Sequence, residues 1–425
     1  MISLKKFFKI LGPGVVTGAA DDDPSGIATY SQTGAQFGYG QLWTALFMLP
    51  FQAAVQEACA RIGAVTGKGI AAVVKEHFSK KILYGLVILV LVANTINIGA
   101  DIGAMAAAAN LIIPINFVFL TFFFTALVLT LEIFTSYKVY ANILKWLCLS
   151  LFAYPVTVFI IHAPWGTLLK STLIPHFEFS FQFLFIITGV LGTTISPYMF
   201  FWQASEEVEE EKADNLIGWD KKPRIGRFFI RNLRIDNFMG MLFSEVGTWA
   251  IIVVAATVLN AHGITNIATS ADAAKALEPL VQTFPNAGFL AKLLFATGII
   301  GLGLLAVPVL AGSASYALSE ALSWKEGLSL KLKQAHGFYG VITIATLIGL
   351  LINFIGIDPI KALVYAAVIN GVVAVPLIFI IALTAKNKKI MGDYKSGLLS
   401  NTLVWLTFIG MGTAAIAMFL TFGRN

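Results

Sequence analysis

Asp21-Asp22-Asp23-Pro24-Ser25-Gly26 is the stretch of this chain whose residue types can do chemistry. Three adjacent carboxylates interrupt the hydrophobic segment Leu11–Gly34. A charged side chain near the centre of a bilayer costs ~2.5–3.5 kcal/mol even on lenient insertion scales. Pro24 removes a backbone donor and disfavours helical geometry at Asp23, and Gly26 loosens the chain further. The stretch therefore predicts two half-helices joined by an unwound turn. Its carbonyls and carboxylates must face a protected cavity, because non-helical backbone at membrane depth survives only inside protein or beside water. That chemistry suits a cation. Asp23 is read as the direct or water-bridged ligand, with helix capping as its alternative role. Asp21 and Asp22 are read as outer groups or entry-path groups, with helix capping or exposure to water as the alternative.

The rest of the chain must hold that stretch in a bilayer. Of its 425 residues, 57% are hydrophobic and only 12% charged, and mean hydropathy is +0.81. Apolar runs of about 20 residues recur from end to end, which marks a polytopic α-helical membrane protein. Eleven spans are predicted, at roughly 10–34, 40–66, 82–112, 116–134, 139–163, 181–205, 236–261, 287–319, 337–356, 360–385 and 399–422. The chain reads as one transmembrane domain over 1–425. Repeat one covers about 10–163, repeat two about 181–385, and an extra helix about 399–422.

Charge gives the orientation. Lys170, Lys275, Lys361 and Arg424 lie on one side and Arg61, Lys145 and Lys292 within spans, which leaves 22 of the 29 Lys and Arg on the other side. The positive-inside rule then puts the N-terminus in the cytoplasm and the C-terminus outside, in a multi-pass protein of the plasma membrane. The net charge of +6 needs no nucleic-acid partner, because basic loops lie beside anionic headgroups. No cleavage motif follows the basic N-terminal segment. The loop 206–235 reads as a solvated cytoplasmic connector. The stretch 262–285 reads as an outer connection with a short surface helix at Ala271–Val281. Cys59 and Cys148 fall within spans as small buried hydrophobes, without a disulfide framework or metal-ligand spacing. The phenylalanines of Phe117–Phe124 are lipid-facing or core bulk.

Span six carries a second interruption, Gly192-Thr193-Thr194-Ile195-Ser196-Pro197-Tyr198, five spans after the first. Paired broken helices in corresponding positions of two inverted five-helix repeats point to a transporter's midplane site. Half-helix C-termini supply orphan carbonyls and the negative ends of helix dipoles to a cation. Thr193, Thr194 and Ser196 are candidates to line it, with satisfaction of freed backbone by their hydroxyls as the alternative. Glu245, in Ser244-Glu245-Val246-Gly247-Thr248, is an intramembrane carboxylate near the cytoplasmic start of span seven and reads as a pathway group or hydrated exit group. Asn370 can reach a hydration water or bond another helix. Asp101 is a candidate for ion or proton passage, with a buried polar contact as the alternative. Glu57 and Arg61, four apart, read as an internal ion pair.

Gly12-Pro13-Gly14, Asp23-Pro24-Ser25-Gly26-Ile27-Ala28-Thr29 and Gly34-Ala35-Gln36-Phe37-Gly38-Tyr39 resemble the first-helix signature of the Nramp divalent-metal transporters. Span six, the Asp358-Pro359 turn and the eleven-span layout extend the resemblance over nearly the whole chain. It implies an all-α LeuT-type fold with alternating access and a metal held between unwound helices one and six. Asp23 matches the liganding aspartate, and Ala20 and Thr193 match positions whose carbonyls face the ion. Gly26 stands where the family has its ligand asparagine. Ser196 replaces the sixth-helix methionine and Tyr198 the histidine. Asp101 matches an acidic residue of the family's proton route, but Ala104 occupies its companion's place and span nine lacks the usual arginine.

Those departures shift the substrate. Thioethers suit Mn, Fe and heavier metals, whereas hydroxyls, carboxylates and water suit Mg²⁺ and Ca²⁺. The sequence resembles the Nramp-related magnesium transporter branch. It predicts import of Mg²⁺, with Mn²⁺ also accepted, as a largely hydrated ion and with weak or absent proton coupling. The membrane potential supplies ~4.6 kcal/mol per doubly charged ion at 100 mV. A proton-coupled Mn²⁺/Fe²⁺ importer and an amino-acid type symporter are the alternatives, and the carboxylates disfavour an anionic substrate. A membrane metal sensor would need a soluble output domain that no loop is long enough to form. No P-loop, catalytic triad or metal-hydrolase motif occurs, so neither an enzyme nor a cofactor is expected. No obligate protein partner is evident.

Overall fold

Apolar segments must coil in lipid, where every backbone donor and acceptor has to be satisfied within the chain. The computed structural model describes residues 13–135, 152–217 and 223–423. Among them the regular elements are helices, apart from one isolated β-bridge between Ile217 and Pro223. The first half of span five, with Lys138, Lys145 and Cys148, lies outside the described residues, as do the first residues of span one, Lys5, Lys6, Lys9, Lys221 and Arg424.

In chain order the α-helices are α1 (Pro13–Asp21), α2 (Pro24–Phe37), α3 (Trp43–Thr66), α4 (Ile70–His77), α5 (Lys80–Asn110), α6 (Phe117–Phe134), α7 (Ala153–Ile160) and α8 (Trp165–Leu173). They continue as α9 (Phe181–Thr194), α10 (Pro197–Ala213), α11 (Arg227–Val258), α12 (Ser270–Ala274), α13 (Glu278–Val281), α14 (Ala287–Leu322), α15 (His336–Ile352), α16 (Pro359–Lys386), α17 (Lys388–Met391) and α18 (Leu398–Thr421). Among the described residues seven stretches are long and apolar enough to cross a membrane, against eleven expected over the whole chain. Span one is halved at its break, and span nine is the shorter apolar helix α15. Span two is α3, whose Gln52, Gln56, Glu57 and Arg61 lower its hydropathy. Span five is described only from residue 152 on.

The reading of 206–235 as a solvated connector needs correction. The segment 206–235 is largely helical: α10 runs to Ala213 and α11 begins at Arg227. Glu207 and Glu211 are buried there, because they lie on the inner face of the extended α10. The loops 67–81 and 164–180 also hold helices, α4 and α8, which were too short to register as spans. The stretch 262–285, expected to carry a surface helix at Ala271–Val281, folds instead as three short turns over 270–281, and Ala273, Ala274, Ala276 and Leu277 pack into the core. Gln32 pins it to α2, donating to the Thr265 carbonyl and accepting from the Ile267 N–H.

Small residues set how closely the broken spans are gripped. A Cβ on Gly18 would fall 2.3 Å from the Gly240 carbonyl oxygen, so α1 lies backbone to backbone on α11. A Cβ on Gly192 would fall 2.1 Å from the Ala367 carbonyl, which holds α9 equally close to α16. Such contacts are the usual means of packing helices in lipid, where no hydrophobic force draws them together. Phe119, Phe122 and Phe123 face outward from α6 while Phe124 is buried. Cys59 is a buried free thiol.

Candidate functional site

The first break is built by a proline and a carboxylate. α1 ends at Asp21 and α2 starts at Pro24, with Asp23 extended between them (φ −64°, ψ 173°). Pro24 takes the first helical position, where its missing N–H costs nothing. Asp23 caps α2: its Oδ1 accepts from the Gly26 N–H at 2.8 Å and the Ser25 hydroxyl at 2.6 Å. Its Oδ2 lies 3.4 Å from the Tyr198 hydroxyl, which also donates to the Ala20 carbonyl at 3.0 Å. One hydroxyl proton serves the shorter contact better, so Oδ2 is the less engaged oxygen of the carboxylate. Capping and ligation are thus divided between the two oxygens.

The second break repeats the backbone but not the cap. α9 ends at Thr194, Ile195 leaves the helix at φ −121°, ψ 65°, Ser196 is extended, and Pro197 opens α10. Ser196 makes no cap to α10. Its hydroxyl turns back to the carbonyls of Gly192 (2.7 Å) and Thr193 (2.8 Å). The Thr193 carbonyl therefore already accepts one hydrogen bond, as the Ala20 carbonyl does from Tyr198; each keeps a second lone pair. For Ser196, the alternative in which a hydroxyl satisfies freed backbone is the one observed.

The two breaks meet. Ser25 Oγ lies 3.3 Å from Thr193 Oγ1, Tyr30 Oη 3.0 Å from Thr194 Oγ1, and Tyr198 reaches Ala20 across the same gap. Gly26 faces it too: a Cβ there would approach Thr193 Oγ1 to 3.3 Å and the Tyr30 ring to 3.2 Å. Asp23, Ser25, Thr193, Thr194, Ser196 and Tyr198 are each no more than 1% exposed, so this junction is closed to solvent on both sides. Its side-chain donors are all oxygen.

The other two carboxylates of the triplet turn away. Asp21 Oδ2 accepts from Gln52 of α3 and from Ser244 of α11, and Asp22 packs against Gly247 of α11. Among the described residues no three His, Cys, Asp or Glu side chains are grouped to hold a metal. A cation at the junction would meet one carboxylate and neutral oxygens. Glu245 is 4% exposed and lies well inside α11, within charge-interaction range of Asp21 and Asp22. α11 starts nine residues earlier than the expected span seven, so Glu245 does not stand at a helix start. Its carboxylate oxygens have no hydrogen-bond partner, and neither do those of Asp101, which interacts electrostatically with Asp23. Asn370 is fully buried, and its amide makes no hydrogen bond to another helix. Gln52, Ser244, Ser25 and Tyr30 were not singled out from sequence. Gln52 alone carried a signal, as a polar side chain in an apolar span.

The family profile described as natural resistance-associated macrophage protein-like matches residues 14–421. The chain belongs to the Nramp family. A relative from Caldanaerobacter subterraneus, the divalent metal cation transporter MntH, is 26% identical over 396 residues, covering 92% of this chain and 88% of its own. The manganese transporter of Eremococcus coleocola superposes with a TM-score of 0.76 at 16% identity, over 99% of this chain and 89% of that one. The nucleobase-cation-symport-1 family transporter Mhp1 follows at TM-score 0.57 and 12% identity, over 97% and 90%. These similarities establish a LeuT-type fold for this Nramp chain, and with it a multi-pass membrane protein.

Proposed function

We propose that this Nramp protein imports a divalent metal cation by alternating access, with the ion held between the two breaks. The meeting of the breaks at Ser25–Thr193 and Tyr198–Ala20 carries the reading, because it brings Asp23 Oδ2 and the carbonyl ends of α1 and α9 to one buried place. Both helix C-termini present the negative ends of their dipoles to that place. Asp23 is the charged ligand, Ala20 and Thr193 supply carbonyl lone pairs, and Ser196 and Gly26 leave room for retained water. Thr194 and Tyr198 hold the halves together. Asp21, Asp22 and Glu245 form an acidic flank toward α11, and Asp101 and Asn370 supply uncommitted polar groups behind the junction.

Mg²⁺ is the principal substrate in this proposal and Mn²⁺ is also carried. An all-oxygen junction with one carboxylate suits an ion that keeps several waters. Tyr198, Ser196 and Gly26 offer neither thioether, imidazole nor amide. The specific support for a manganese-first reading is the shared fold with the Eremococcus coleocola manganese transporter. An amino-acid type symporter has only the shared fold behind it. We further propose that the N-terminus is cytoplasmic and the C-terminus outside. The two repeats would span about 10–163 and 181–385. In keeping with such a repeat, α1 lies on α11 at Gly18, and α10 lies on α3 at Gly63.

Purified protein in liposomes, with a pH-sensitive dye inside, tests the substrate. Mg²⁺ uptake driven by an inside-negative potential without lumen acidification is the expected result. Preference for Cd²⁺ or Mn²⁺ over Mg²⁺ with acidification would replace it with the proton-coupled reading.

A further inference from the structure

Away from the breaks, a cavity of about 780 Å³ opens between the start of α11 and the connection from α16 to α18. Arg61, Arg227, Arg231, Arg234 and Lys395 line it, with Asp393 as the opposing carboxylate. Glu57 stands behind and is already engaged: it pairs with Arg61 at 2.8 Å and with Arg234 at 2.9 Å. Arg61 is fully buried and spends its remaining donors on the Tyr394 carbonyl and the Ser396 hydroxyl, which fixes the far wall. Among the described residues, Arg227 and Arg231 are exposed and paired with no carboxylate. The cavity thus holds a surplus of positive charge with free donors.

One stripe of α11 indicates where the compensating charge comes from. Arg227, Arg231 and Arg234 follow one another at helical spacing, and the same face continues as Phe238, Leu242 and Val246. Phe238 and Val246 are 45% and 50% exposed in a helix that crosses the membrane. The stripe changes from basic to apolar within one turn, which is the profile of a helix leaving the headgroup layer for the acyl layer. The cavity itself is half apolar, through Ile230, Ile235, Phe238 and Met239. A free phosphate would use only its basic half, whereas a lipid uses both. We infer that this cavity binds the phosphate headgroup of an anionic phospholipid, with an acyl chain lying along Phe238 and Leu242. The lipid ties the start of α11 to the segment before α18.

Native mass spectrometry of the full-length protein in detergent tests this with phosphatidylglycerol and phosphatidylcholine of matched chains. Arg227→Gln/Arg231→Gln is the variant of choice, because neither side chain holds Glu57 and folding should survive. Preferential retention of phosphatidylglycerol is expected. With each basic contact to an anionic headgroup worth about fivefold in retention, the double variant should lose it about 30-fold. Lys388→Gln/Lys389→Gln, exposed on the same side but outside the cavity, should leave it unchanged. Equal retention of both lipids overturns the proposal, and so does an unchanged arginine variant or an equal loss in the lysine variant. Displacement of the lipid by an equal concentration of inorganic phosphate reassigns the cavity to a soluble anion and overturns it too.

Discussion

The two breaks share a backbone and differ in what they do with it. In each, an extended residue precedes a proline that opens the second half-helix, at Asp23-Pro24 and at Ser196-Pro197. At the first, the side chain reaches forward and caps α2. At the second, it reaches backward to the carbonyls that end α9. The first break thus stores a negative charge against a positive helix end, which stabilises it without using its second oxygen. The second stores no charge and quiets its own carbonyls. In the function proposed above, the first break supplies the charge that draws the cation and the second supplies neutral oxygens around it.

The difference can be broken most directly at its charged end. Asp23→Ala should reduce Mg²⁺ uptake into liposomes by at least ~100-fold, since even unit charges 4 Å apart at an effective dielectric of about 20 interact by ~4 kcal/mol. Uptake within a few-fold of wild type would remove Asp23 from the site. Ser196→Met places a thioether at the neutral break and takes the hydrogen bonds from Gly192 and Thr193. The Cd²⁺-to-Mg²⁺ uptake ratio should rise about tenfold as the donor softens. An unchanged ratio would mean that residue 196 does not face the ion.

A smaller effect tests how the breaks are joined. Tyr30→Phe removes the hydroxyl contact to Thr194 and should cost ~1 kcal/mol of stability, read as a lower melting temperature with the KM for Mg²⁺ unchanged. The smallest effect belongs to a group remote from both breaks. Glu326 lies in the connection 323–335, where burial first and Glu320 second push its carboxyl up to about 9. The folded protein then binds that proton more tightly than the unfolded chain. Its contribution to stability is full below the ordinary value of 4.5, declines as pH rises and is lost as Glu326 ionises near 9. Glu326→Gln should flatten that part of the melting-temperature profile; a profile unchanged from wild type would mean that Glu326 is not its source.

Local chemistry carried much of this. Pro24 and Pro197 announce where a helix must restart, because a proline constrains itself and its predecessor regardless of fold. Apolar length announced most spans, and the Glu57–Arg61 pair followed from a spacing of four. Amphipathic α4 and α8 were illegible because they are too short for a span and take their stability from packing. The reach of α11 back to Arg227 was hidden by charge, since a span ends in sequence where its helix need not.

What no reading of residues in order could supply was direction. Asp21, Asp22 and Asp23 are chemically identical neighbours, yet one faces span six and two face α11, because Gly247 and Ser244 open a place for them there. Ser196 could have pointed at an ion or at its own backbone with equal local ease. Residue type and spacing settle where a chain coils, breaks and carries charge, since those depend on a few bonds. Which way each carboxylate turns depends on Gln52, Tyr198 and Ser244, between 31 and 223 residues away, and packing alone brings them near.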